Sequence, residues 1–199
     1  MTVQISIKQA EDLIRWMDSK INDLEFCAND RNRIAAACFD LAHEHHRSII
    51  LLIANSLSGS AFSLVRLLFE SYIRGLWLLK VATDQEIEDY KNENFRKSFS
   101  SLIDDVERLD GYNTGVLKRA KEAGWASMNS YTHGGFLHLV RRNTPDYIEP
   151  NYSDAEKIEV INFANSFSLL AALGIADIAN NVDLAGELYE RINNLNPKP

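Results

Sequence analysis

Residues Ser60–Val81 read SAFSLVRLLFESYIRGLWLLKV, and this stretch decides the fold class. It holds Phe62, Leu64, Val65, Leu67, Leu68, Phe69, Ile73, Leu76, Trp77, Leu78 and Leu79, so it is apolar nearly all round. A run too long for a strand and apolar on every side predicts a central helix buried by its neighbours. Its polar exceptions, Arg66, Glu70 and Arg74, recur every fourth residue and therefore share one helical face.

Working outward, a second segment from about Asp30 to Ser56 carries a predicted core stripe of Ile34, Cys38, Leu41, His45, Ile49 and Leu52. Ser58-Gly59-Ser60 breaks it with a short connection that implies an antiparallel neighbour. Before it, Ala10, Leu13, Ile14, Met17, Ile21 and Leu24 mark an amphipathic helix within residues 1–28, with Ser6 and Gln9 as its capping box. Beyond the central stretch, Thr83 with Glu86 opens an exposed helix. Leu102, Val106 and Leu109 mark another, Val116–Ala123 a short one stopped by Gly124, and Ser127–His133 a further one.

Phe136–Arg142 continues after Gly134-Gly135, and residues 143–152, with two prolines, are a predicted surface loop. Ser153 with Glu156 opens a long apolar helix to about Ala179. It reads as a core helix, because its most apolar window, Phe163–Ala179, is shorter than the ~20 residues of a membrane span. Residues 183–194 form a last helix and 196–199 a frayed tail.

The expectation is one all-α domain over 1–199, an antiparallel helical bundle with three long central helices beginning near Asp30, Ser60 and Ser153. With 199 residues, 46% hydrophobic and 25% charged, the chain is long enough for a substantial core. Nine Gly and four Pro argue against a turn-rich sandwich. A net charge of −7 argues against a general grip on nucleic-acid backbone and against sequence-specific DNA binding. Residues 1–25 lack a secretory pattern and Cys27 and Cys38 lack a C-x-x-C spacing, which suits a cytoplasmic protein with free thiols and no membrane partner.

Three clusters carry the candidate chemistry. Arg66, Glu70 and Arg74 sit where the core should be, either as an ion-pair network fixing helix register or as the floor of a polar pocket with Ser63 and Trp77. The stretch Trp125–Gly135, WASMNSYTHGG, puts His133 at a helix C-terminus, where the helix dipole favours its cationic form and suits it to acid–base work. Asn129 shares its face, and His138, Arg141 and Arg142 extend a local positive patch. Read without a ligand, the same residues are a helix cap with solvated charges.

His43 and His46 have a spacing that one metal ion can bridge, yet no partner motif completes a ligand set, so packing or interhelical hydrogen bonding is expected and no cofactor is predicted. Phosphate-binding glycine loops and the G-x-S-x-G nucleophile turn do not occur in the sequence.

Across roughly Ala42–Arg142 the chain resembles a group of uncharacterised bacterial all-helical proteins. The resemblance lies in His45-His46-Arg47-Ser48-Ile49, Arg66-Leu-Leu-Phe-Glu70 followed by Trp77, and Asn129-Ser-Tyr-Thr-His133-Gly-Gly. That group is similar, more distantly, to HEPN domains, helical bundles that commonly dimerise. Many of these are metal-independent ribonucleases of toxin–antitoxin and phage-defence systems, and others are nucleotide-binding or assembly modules. HEPN ribonucleases carry an Arg separated from a His by four to six intervening residues on one helix, and this chain has no such pair.

The resemblance implies the fold and a homodimer; the charges in an apolar helix together with the Asn129–Gly135 segment predict action on RNA or nucleotides, with His133 as acid–base group, Arg66 stabilising phosphate charge and Glu70 orienting one of them. Asn129, Arg74, Trp77, Ser63, His138 and Arg141 would then hold the substrate. The competing expectation is a non-catalytic binding or assembly module with a protein partner.

Overall fold

The computed structural model describes residues 2–195. Three helices come first: α1 (Val3–Ile21), α2 (Asp30–Ala54) and α3 (Ser58–Lys80). Then follow α4 (Asp84–Lys91), α5 (Phe99–Val106), α6 (Val116–Thr132), α7 (Phe136–Val140), α8 (Asp154–Ile178) and α9 (Val182–Leu195). The all-helical expectation holds: extended pairing among the described residues is confined to a single bridge between Asn143 and Ile148. The expected frayed tail, 196–199, lies outside the described residues.

α2, α3 and α8 pack pairwise on one another and make the centre, as the apolar stretches predicted. α1 and α9 cover α8, while α5 and α6 cover α3. By length and composition α8 is apolar enough to cross a membrane, and half of its most apolar window is buried, under α1, α2, α3 and α9. The helices come close because Phe39 of α2 lies between two bare glycines. A Cβ added to Gly75 of α3 or Gly174 of α8 would sit 2.7 or 2.5 Å from the Phe39 ring.

Several boundaries differ from expectation. α1 is capped by Thr2, whose hydroxyl accepts from the Ile5 N–H. Ser6 therefore lies one turn inside, buried, donating to the Thr2 carbonyl at 3.3 Å. Ser58-Gly59-Ser60 is the first turn of α3, not a connection. The chain reverses just before it, with Ser56 at φ 61°. Gly124 does not stop a helix, and α6 runs through it unbroken. The Met128 side chain covers the space a Cβ there would fill, and one glycine weakens a helix by only about 1 kcal/mol. The capping boxes at Thr83/Glu86 and Ser153/Glu156 both form.

The core stripe of α2 is also rotated. Leu41 is exposed, and the buried set is Ala35, Phe39, Ala42, His43, His46, Ile49, Ile50 and Ile53. His43 Nδ1 lies 2.7 Å from Ser168 Oγ and His46 Nε2 lies 2.8 Å from Asn165 Oδ1, so both histidines bond to α8. Interhelical hydrogen bonding was the expected role, and burial lowers the two rings from an ordinary pKa of 6.5 to about 3 and about 4. Both are held neutral inside the fold.

Candidate functional site

The site begins on α3, where Arg66, Glu70 and Arg74 stand one turn apart. The Glu70 side chain is 8% exposed, and each of its oxygens is answered. Oε1 accepts from Arg66 Nε at 2.6 Å, and Oε2 accepts from Arg74 Nη2 at 2.8 Å. An unanswered carboxylate so deep would cost several kcal/mol, so the ladder explains how a charge sits in an apolar helix. It also holds Arg66, 19% exposed, in one place.

Facing α3 is the end of α6. Its last residues close in a Schellman turn, with Gly134 at φ 64° and the Gly135 N–H donating to the Ser130 carbonyl at 2.7 Å. Gly135 has no room for a side chain, because a Cβ would lie 3.0 Å from Ser130 Cα. The turn leaves His133 exposed at the helix end, its N–H bonded to the Asn129 carbonyl.

Ser63 sets the register between the two helices. Its hydroxyl lies 2.9 Å from the Tyr131 carbonyl and 3.0 Å from the Gly59 carbonyl, and Thr132 Oγ1 donates to the Ser63 carbonyl at 3.1 Å. One turn further along α3, Arg66 Nη1 meets His133 Nε2 at 2.5 Å. The two sequence-distant clusters converge.

A guanidinium has only N–H groups to offer. As a hydrogen bond, this contact requires Nε2 to accept. An unprotonated Nε2 at the surface beside a fixed guanidinium can accept a proton from a bound hydroxyl while the cation meets the anion attached to it.

The floor is a residue to which sequence reasoning assigned no role. The Arg66 guanidinium lies 4.7 Å from the centroid of the Trp125 ring, and Trp125 stacks on Phe99 at 4.8 Å and 9°. Lys121 reaches the same indole at 5.4 Å. The signal was present: Lys121, Trp125, Asn129 and His133 recur every fourth residue, a second ladder opposite that of α3. Asn129 is half-buried on that face.

Three expected site residues lie elsewhere. Trp77 is buried, donates Nε1–H to Asp105 at 3.2 Å and packs on Phe95. His138 stands edge-on to Tyr131 at 5.5 Å, over the start of α3 near Gly59. Arg141 pairs with Glu156 and ties the segment after α7 to the start of α8. Ser63 is present but acts as a rivet between helices. Among the described residues no group of three or more His, Cys, Asp or Glu side chains is placed to hold a metal ion.

No curated protein and no solved structure matches the chain. Residues 39–196, from the middle of α2 onward and including both ladders, match a family of unknown function, and the chain belongs to that family, DUF6988.

Proposed function

We propose that the Arg66–His133 pair is an acid–base site for a phosphate-bearing ligand, RNA or a nucleotide, and that the protein is a HEPN-like component of a bacterial defence or toxin–antitoxin system. The observation that carries this reading is the contact itself, an exposed imidazole on a guanidinium held from behind by a buried carboxylate. In HEPN ribonucleases the corresponding Arg and His share one helix, whereas here they come from α3 and α6.

In the reaction the phosphate draws Arg66 Nη1 away from His133, and the freed Nε2 takes the proton of the ribose 2′-hydroxyl. The O2′–P bond forms, the P–O5′ bond breaks, and the leaving oxygen takes a proton from solvent. Arg66 offsets charge gathering on the non-bridging oxygens, and Glu70 keeps it in place. The overall charge of −7 favours a nucleotide or a short single strand over a duplex.

Incubation of the full chain with short RNA in chelator, beside His133→Ala, tests this. Cyclic-phosphate ends should form with wild type and fall by about 100-fold or more in the variant. Equal decay in both samples overturns it.

A second reading, a partner-binding or self-associating module, is favoured by one feature. Phe136, Leu139, Tyr147 and Ile148 are large apolar side chains, all well exposed, on α7 and the segment that follows it. A dimer through this face is compatible with chemistry at His133, three residues before Phe136.

A further inference from the structure

Along α3 from the Arg–His pair, a cleft of about 590 Å³ opens between α2, α3, the end of α4, the start of α5 and the segment joining those two. Three aromatic rings, Tyr90, Phe95 and Phe99, and three cations, Arg74, Lys91 and Lys97, line it. Glu93 is the one carboxylate among its lining residues. The volume falls within the range of small-molecule sites.

The cleft is joined to the Arg66–His133 pair by two shared residues. Arg74 lines the cleft and bonds Glu70, whose other oxygen holds Arg66. Phe99 lines it too and lies flat on Trp125, the ring that carries the Arg66 guanidinium. Arg66 and Arg74 stand eight residues apart on one helix, about 12 Å along its axis.

We propose that this cleft seats the base of a nucleotide, with the planar ring among Tyr90, Phe95 and Phe99 and the attached phosphate at Arg74 and the lysines. The inference rests on reading Arg66 and His133 as the phosphate-processing pair, and it adds a seat for a neighbouring nucleotide of the same ligand, about 12 Å along α3 from that pair. Aromatic walls without cations would suit a neutral ring, and cations without walls would suit phosphate alone. The two together fit an anion carrying a planar base.

The cations are paired within the protein: Arg74 with Glu70, Lys91 with Asp30 and Glu88, Lys97 with Glu86 and Asp105. Their side chains are nevertheless 42%, 37% and 38% exposed. The pairs that Lys91 makes with Asp30 and Glu88 are exposed and weak, whereas Arg74 is held by the buried Glu70. These pairs fix each cation at the rim and still leave it able to meet a phosphate. A free mononucleotide and the terminal nucleotide of an RNA strand share this chemistry.

Calorimetry on the full chain tests the seat with AMP, UMP, ribose 5-phosphate, inorganic phosphate and a five-residue RNA. AMP should bind about tenfold or more tightly than ribose 5-phosphate, the difference that stacking one base supplies. Phe95→Leu should erase that difference, and Lys91→Gln, a change at the exposed rim, should weaken every phosphate ligand several-fold while leaving the fold intact. Tighter binding of the RNA than of UMP identifies a strand end as the ligand, and equal or weaker binding a free nucleotide; both support the seat.

Equal affinity for AMP and ribose 5-phosphate overturns the proposal, as does a base preference that survives Phe95→Leu. The two readings fail separately. Base-dependent binding without turnover that needs His133 removes the chemistry and keeps the seat. Turnover that needs His133 without a base preference does the reverse.

Discussion

Lowering the pH from 7 to 5 should destabilise this protein through two residues, His43 and His46. Both bond to α8 from inside the core, and burial lowers them from an ordinary pKa of 6.5 to about 3 and about 4. The sign follows from proton uptake. Below pH 6.5 the unfolded chain protonates both rings while the folded chain keeps them neutral, so the stability they contribute is complete above 6.5 and is lost as pH falls toward the folded values.

Each ring can contribute a slope approaching about 1.4 kcal/mol per pH unit. Between pH 7 and pH 5 the loss comes to about 2 kcal/mol for each histidine and about 4 kcal/mol for both. For a chain of this size that is a fall in Tm of about 8–16 °C. Carboxylates contribute little in this window, because they titrate mainly below it. Urea unfolding at half-unit pH steps measures the slope, and His43→Gln/His46→Gln, which keeps a hydrogen-bonding amide at each place, should flatten it. A wild-type loss below about 1 kcal/mol, or an unchanged slope in the double variant, would refute the assignment of these rings as buried and neutral.

Glu70→Leu should cost about 2–3 kcal/mol, because it leaves the partly buried Arg66 without its carboxylate; the half-exposed Arg74 adds little. Denaturant midpoints measure it, and a neutral result would mean that the ladder is ornamental. Gly174→Ala should cost about 2 kcal/mol through overlap with the fully buried Phe39 ring. Gly186→Ala, on an exposed face of α9 where an added Cβ would meet nothing within 4 Å, should stabilise by about 0.5–1 kcal/mol. Thermal melts of the two glycine variants should therefore move in opposite directions.

The central helices were legible because a run apolar on all sides has only one stable place, and because Thr83/Glu86 and Ser153/Glu156 mark helix starts by local hydrogen bonding alone. The α2 stripe was misread for the opposite reason. Buried His43 and His46 look polar in sequence, and only Ser168 and Asn165, more than a hundred residues away, make their burial tolerable. Gly124 misled because glycine weakens a helix without ending it when a neighbour such as Met128 fills the gap.

The Arg66/Glu70/Arg74 ladder was visible from spacing, but its meeting with His133 was not. That contact depends on how α6 lies on α3, which is set by Ser63, Tyr131 and Thr132. Trp77 was drawn into the pocket wrongly, since an all-apolar helix does not reveal which neighbour an indole N–H will find. Here it finds Asp105.

The most direct measurement is a double-mutant cycle on kcat/KM for cleavage of short RNA with Arg66→Ala, His133→Ala and both together, on protein checked to be folded. Groups that act on one phosphate as a unit are strongly non-additive, so the double variant should be about as slow as the slower single. Losses that multiply, or three variants that match wild type, would contradict a shared site.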